Sequence, residues 1–557
     1  MPLSAPLPDE SLVLKAVAEG MSGRSAESDA LPLAAPVWLA WRQDGRRIAA
    51  EWHAAPTLAE AVARSAADLA GPADALEICL TRDYRPVPPE RLATAFANSQ
   101  RGLRGIEIAL DGRLTRIAPT ATIASNRPPF REIERKAAAL GLTPERLAAR
   151  ARIRSFESDQ FLVLPDRGLC HALWRGGRVV PPESIGPGLL RDTIRGLSGW
   201  LLRNVHPDGR MTYKYWPSRG VESRADNTIR QFMATVALGR IARRGGDAGE
   251  AEAARRNLAH NLRKFYAEVD GLGTILHDGK AKLGAMALAA LAILEFRSSG
   301  LVEATAHEEI FAGLCRGVAH LWQPDGSFRT FLVPAGRNDN QNFYPGEALL
   351  FWAALHRQTR DPDLARKCLA SFRHYRDWHL AQPNPAFVPW HSQAYVMLHE
   401  DLGLPELAAF VLDRNDWLLP MQQWGGRLAP DFQGRFFDPE RPDFGPPHAS
   451  STGVYMEGLA EAWRLARRLG ETDRADRYAR VLRRGLRAVR QLQFRDREID
   501  AFYISRPEAV MGGLRTEVYN NEIRVDNVQH CLMALLKLEA EPDFPWEAET
   551  EEPGPGS

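Results

Sequence analysis

The sequence predicts a mainly α-helical protein: an (α/α)6 toroid over residues 188–541, preceded by a smaller α+β domain over residues 36–180. Three observations predict it. After Gly188 an amphipathic helix and a nearly all-apolar helix alternate six times. Each such unit takes roughly 50–70 residues, as repeat architectures do. Before Gly188 the pattern instead mixes strand and helix periods.

Residues 1–35 read as a flexible N-terminal segment. Their start, MPLSAPLPDES, lacks the basic opening and apolar run of a secretion signal. VWLAWRQDGRR alternates like a strand and turns at Asp44-Gly45. Thr57–Ala70 has helical period, and DALEICLT is a second strand. GLRGIEIALDGRLTRIAP predicts a hairpin at Asp111-Gly112, PFREIERKAAALGL and PERLAARARI are helices, and FESDQFLVL is a closing strand. Taken in order, Val37–Gly45, Leu58–Leu69, Leu76–Leu80 with Tyr84-Arg85-Pro86-Val87, Gly105–Gly112, Arg131–Leu142 and Phe156–Phe161 resemble the AMMECR family, an α+β domain. That family carries an RGCIG-type signature, and the matching positions here read Arg46-Arg47-Ile48-Ala49-Ala50. The resemblance therefore implies a structural or recruiting domain rather than a catalytic one. The Pro- and Gly-rich stretch Val179–Gly188 is the boundary, which makes the first domain separable.

The half-exposed helices start near Leu189, Gly249, Val302, Asp361, Pro405 and Glu471. The apolar ones start near Asp226, Lys282, Pro345, Trp390, Ser450 and Val525. A helix apolar on all sides is buried on all sides, so the second set forms an inner ring. This pattern resembles the six-hairpin glycosidases and related toroids, a group that includes unsaturated glucuronyl hydrolases, sugar 2-epimerases and polysaccharide lyases. The resemblance implies that the loops entering the inner helices line a funnel. Residues 542–557 read as a disordered acidic tail.

Those loops mix aromatic rings with carboxylates, amides and His, a composition that suits a sugar: rings stack on its apolar face and polar groups bind its hydroxyls. Arg224-Ala225-Asp226-Asn227 before the first inner helix is echoed by Arg524-Val525-Asp526-Asn527 at the sixth. Ring closure makes these helices neighbours, which places Asp226 and Asp526 on one cavity; Asp and Asn are equally the preferred helix N-caps. Glu457 lies on a mostly apolar helix, where an acid needs a partner or a cavity. Asp226, Glu457 and Asp526 are the catalytic candidates. Tyr213, Tyr215, Arg224, Arg230, Tyr344, Glu347, Trp390 and His391 are the substrate-binding candidates. His448 and His530 read as structural.

Three functions remain open. A glycoside hydrolase would pair two of the carboxylates as general acid and as base or nucleophile. A uronic-acid sugar epimerase or lyase would use Tyr213, Tyr215 and His391, with Arg224, Arg230 and Lys214 holding the carboxylate. A glycan- or protein-binding scaffold would use neither.

Lys and Arg number 71 against 70 Asp and Glu, a balance that gives a nucleic-acid binder no support. The longest apolar run, Leu283–Leu294, is too short for a membrane span of ~20 residues. The five cysteines are scattered, without a CxxC pair, so neither a disulfide framework nor a metal site is expected. The chain reads as cytoplasmic and free of cofactors, with a saccharide as substrate or ligand. No phosphate loop, dinucleotide fingerprint or GxSxG elbow is present.

Overall fold

The computed structural model describes residues 8–22, 31–426, 428–500 and 504–547. Among these residues the second region is a closed double ring of helices. The inner helices are Thr228–Gly245, Leu283–Ser298, Tyr344–Thr359, Val388–Leu402, Ala449–Arg468 and Val525–Glu539. Each packs on the next, and Val525–Glu539 packs back on Thr228–Gly245. The outer helices are Pro187–Arg203, Ala248–Phe265, Glu308–Leu321, Pro362–Ala381, Pro405–Leu418 and Thr472–Leu492. The third begins at Glu308 rather than near Val302, because Leu301 and Val302 fold back onto the carbonyl of Phe296 to end the preceding helix.

The apolar pattern follows from position in the ring. Thirteen of the 16 residues of Leu283–Ser298 are buried, against five of the 14 in Glu308–Leu321. Each of the first five inner helices turns into its outer partner through a short link. Gly246, Arg360 and Gly403 make three of those links in the left-handed region. The sixth inner helix has no successor and packs on Pro187–Arg203 instead, so the first outer helix of the chain seals the ring. Apart from the short turn 382–387, the connections from outer to inner helix are longer, and they gather at the inner-helix N-termini. They hold two small antiparallel sheets, one of Tyr266–Val269, Leu272–His277, Lys280–Lys282 and Phe331–Val333, the other of Arg515–Glu517, Asn520–Arg524, Lys214–Trp216 and Val221–Glu222.

The first region is one antiparallel sheet in the order Arg46–His53, Val37–Gln43, Ala75–Pro86, Arg152–Leu164, Gly105–Leu110, Arg113–Ile117, with Leu169–Leu173 also pairing with Arg152–Leu164. Both predicted hairpins turn at Asp-Gly pairs with positive φ, 50° and 74° at Asp44-Gly45 and 50° and 73° at Asp111-Gly112. These are the dihedral signs that a two-residue hairpin turn needs.

Two expectations about the chain ends need correction. Within 1–35, Glu10–Ser22 is a helix that buries Val13, Ala16 and Val17 against Leu58–Ala67. Within 542–557, Phe544 is buried and its ring meets Trp463 at 5.0 Å. Residues 548–557 lie outside the described part. The stretch Val179–Gly188 is also anchored: Val180 is buried and its N–H donates to Gln491 at 2.7 Å.

Candidate functional site

The six inner helices point their N-termini at one mouth, and the polar side chains there come from different helices. Arg230, in the first turn of the first inner helix, donates from Nε to Asp526 Oδ2 on the sixth at 2.6 Å. Arg524 holds the same carboxylate, with Nε at 3.0 Å from Oδ1 and its Nη2 closing on Oδ2. Burial alone would raise the Asp526 carboxyl, but the two guanidiniums outweigh it and hold the group well below the usual carboxylate range. Asp526 does not cap its helix. The N-cap residue is Arg524, without a side-chain cap.

Glu347, in the first turn of the third inner helix, is buried, and its Oε2 has no hydrogen-bond partner. It reaches across to the second inner helix, where a β-carbon on Gly284 would overlap that oxygen. Burial pushes the Glu347 carboxyl up to about 8, against the opposing pull of Arg230 and Lys282. It is therefore protonated at neutral pH. Burial also lowers Lys282 from the ordinary lysine value, with Lys280 and Arg230 adding to the effect. Tyr344 lies against the same spot. Burial raises its hydroxyl well above the ordinary tyrosine value, and the nearby Glu347 adds to that.

One turn below Asp526, His530 bonds through Nδ1 to Glu457 Oε1 of the fifth inner helix at 2.6 Å. Glu457 is fully buried and its second oxygen is unpartnered. The carboxylate accepts Nδ1–H, so the Nε2 lone pair of a neutral His530 is left free. The imidazole keeps 12% side-chain exposure, and the Trp390 ring of the fourth inner helix meets it edge-on at 5.7 Å. His448 caps the fifth inner helix by accepting Ser451 N–H at 3.1 Å. Burial lowers its imidazole to about 4, and the nearby Arg524 adds to that. Tyr213 completes the ring: its carbonyl accepts Val525 N–H at 2.8 Å, and its hydroxyl lies within electrostatic range of Arg230.

The structure thus brings together Arg230, Tyr213, Tyr344, Glu347, Trp390, Glu457 and Asp526 at one mouth. Four expected residues are placed elsewhere. Asp226 turns to the second outer helix, where its Oδ2 accepts from Lys264 at 3.0 Å and its Oδ1 from Gln231 at 2.8 Å; the cap is its neighbour Asn227. His391 sits inside an aromatic cluster, stacked on Phe387, with Nδ1 against the Phe387 carbonyl at 2.9 Å. Burial lowers its imidazole to about 3, so the ring is neutral, with its Nδ1–H spent on the Phe387 carbonyl. Tyr215 buries its ring, and its charged neighbours are Arg506, Glu508 and Glu222 rather than the mouth. Arg224 is exposed.

Lys282, His448 and His530 were not among the expected site residues. His530 was legible in principle, because it follows Asp526 by four residues and so shares its helix face. Among the described residues, no group of three His, Cys, Asp or Glu side chains could hold a metal ion, and no helix is long and apolar enough to cross a membrane.

No family model matches the chain, so the AMMECR likeness gains no support, and no curated protein matches it. Solved structures do. D-mannose isomerase superposes at TM-score 0.46 and 11% identity, covering 64% of this chain and 98% of its own. The GH76A α-1,6-mannanase from Salegentibacter sp. HEL1_6 does so at 0.43 and 10%, covering 63% and 99%. The unsaturated glucuronyl hydrolase from Bacillus sp. GL1 does so at 0.45 and 14%, covering 65% and 100%. The class at hand is the (α/α)6 toroid with a polar inner-helix mouth. None of these likenesses fixes an activity for this chain.

Proposed function

We propose that the chain is a carbohydrate-active enzyme that moves protons on a sugar bound at the inner-helix mouth, with His530 as base, Glu457 orienting it and Glu347 as acid. The observation that carries this reading is the 2.6 Å bond from His530 to buried Glu457. A carboxylate that fixes the tautomer of an imidazole is the usual partner of a general base. Glu347, protonated at neutral pH, supplies the complementary acid. Trp390 and Tyr344 wall the site with buried rings, and Arg230 and Lys282 offer donors to the sugar oxygens.

Epimerisation or isomerisation fits this set best. His530 would remove a proton from the carbon beside the carbonyl of an open-chain sugar while Glu347 protonates the carbonyl oxygen. Hydrolysis is the second reading, with His530 activating water and Glu347 protonating the leaving oxygen. Asp526 is a poor choice for base or nucleophile, because two arginines neutralise it.

Incubation with reducing hexoses and uronates in D2O, followed by proton NMR, tests the first reading. Loss of the C2 proton signal is expected with the wild type and not with His530→Asn. Release of new reducing ends from oligosaccharides, with no exchange at carbon, would move the assignment to hydrolysis. Absence of both would overturn the reading. Activity should fall as the pH rises past about 8, where Glu347 loses its proton.

A further inference from the structure

A polar cavity lies over one face of the first region's sheet. Its volume is about 1230 Å³, and segments of the helical ring near Ser218 and Ile504–Pro507 close one side. Six arginines line it against three carboxylates. Arg42 on its floor is buried and bound to Glu77, and Arg127 and Arg135 share Glu132. The remaining three, Arg46, Arg47 and Arg497, are exposed, and no carboxylate among the described residues holds them. The indole of Trp38 forms part of the wall, and Ile48 is 43% exposed beside it.

Exposed guanidiniums are solvated one by one; what marks this groove is that three of them border one concave surface that also carries an indole. We infer that this groove is a binding site for an acidic oligosaccharide, with Arg46, Arg47 and Arg497 on its carboxylates and Trp38 against a sugar face. The chemistry selects this class over the others. The volume exceeds what a single phosphate or monosaccharide fills, and ligand pockets of this size hold extended molecules. The guanidinium fork pairs with carboxylates in bidentate fashion. The balanced charge of the whole chain gives no long-range pull on nucleic acid. The edge strand Arg46–His53 leaves one backbone ladder open beside the groove, so an acidic peptide is the competing occupant that the titration below separates. The inference does not depend on any reaction at the inner-helix mouth.

Calorimetric titration of the full chain with a hexameric oligogalacturonate tests it, with maltohexaose, hexaglutamate and a dT hexamer as alternatives. The wild type should bind the oligogalacturonate, weaken as salt is raised, and ignore maltohexaose. The double variant Arg46→Glu, Arg47→Glu changes only exposed side chains and should bind at least about tenfold more weakly. Arg497→Glu should weaken binding on its own, and Arg373→Glu, at a remote surface, should leave it unchanged. Circular dichroism of each variant verifies the fold. Equal binding by wild type and the double variant would overturn the inference, as would tighter binding of hexaglutamate or the dT hexamer. Binding lost in His530→Asn but kept in the double variant would place the ligand at the inner-helix mouth and overturn the groove alone. Deuterium exchange lost in His530→Asn with groove binding intact would leave both assignments standing.

Discussion

The backbone N–H of Asn521 donates to the Oδ1 of Asn126 at 2.9 Å, across 395 residues of sequence. This bond ties the sheet region to the hairpin that delivers Arg524 and Asp526 to the mouth. Asn521 is fully buried and also donates from Nδ2 to the Ile123 carbonyl at 3.0 Å. Asn521→Ala removes that donor, and with it the Oδ1 that accepts from Arg515 Nε at 3.2 Å, at a cost of about 1–3 kcal/mol. Hydrogen exchange should accelerate through residues 515–525 while the opposite side of the ring, around Leu349 and Tyr395, is unaffected. Exchange that is unchanged at the hairpin would show that the seam does not hold it.

Asp526→Asn should destabilise by about 2 kcal/mol, since it leaves two guanidiniums facing a neutral amide. The figure stays below that for a fully buried pair because Arg230 and Arg524 keep 33% and 17% side-chain exposure. The folded Asp526 carboxyl lies below its unfolded value of 3.8. Its contribution is therefore complete above that value and is lost as pH falls below it. The gap between wild type and variant in denaturant titrations should close in strong acid. Asp226→Asn should cost under about 1 kcal/mol and keep full activity, because its ion pair is with a solvent-exposed lysine.

Glu347→Gln reverses the sign. The folded carboxyl titrates at about 8 and the unfolded one at 4.5. The wild type thus has its full stability from this group below 4.5 and loses it as pH rises through 8. The variant does not titrate there. It should become the more stable protein in alkaline solution, by up to a few kcal/mol, while losing turnover at every pH. Parallel wild-type and variant stability curves between pH 5 and 9 would contradict the burial assigned to this carboxyl.

His391→Leu separates packing from chemistry. The ring is stacked among Phe387, Tyr375 and Tyr395, so its loss should cost about 2–3 kcal/mol. Turnover measured at 15 °C, where the variant stays folded, should match the wild type. A loss of two orders of magnitude in kcat would return His391 to the reaction.

Residues 183–557 expressed alone should give a helical protein that melts well below the full chain. Arg175 and Asp431 form a buried pair across the seam at 2.7 Å, and Leu162, Leu164 and Leu173 pack into the core of the ring. The truncation strands Asp431 and uncovers that apolar patch. A melting temperature equal to that of the full chain would show that the two regions are energetically independent.

The inner ring was legible because burial on every side leaves a plain mark: runs such as LGAMALAALAIL have no polar face. The observed starts at Thr228, Leu283, Tyr344, Val388, Ala449 and Val525 fall within two residues of the expected ones. The site was legible only in part. Asp226 and Asp526 share a local motif, yet an Asp one place before an N-cap faces a different neighbour from an Asp two places after one. A periodic pattern reports which face is buried, not which residue of another helix it meets. The His530–Glu457 pair joins residues 73 apart, and the Gly284 gap that admits Glu347 joins residues 63 apart. Both relationships exist only once the helices are packed.

The closing contact of the ring has a consequence for how the protein is made. Pro187–Arg203 and Thr228–Gly245 both wait for Val525–Glu539, more than 280 residues further along the chain. During synthesis the earlier helices emerge and pair with their successors, but the ring stays open with greasy flanks on either side of the gap. Contacts this distant in sequence form slowly. Arg230 meets Asp526, and Glu457 meets His530, only when that last inner helix slots in. A nascent chain stalled before residue 525 is thus both inactive and adhesive, and chaperone occupancy on ribosome-bound intermediates should persist until that helix has emerged.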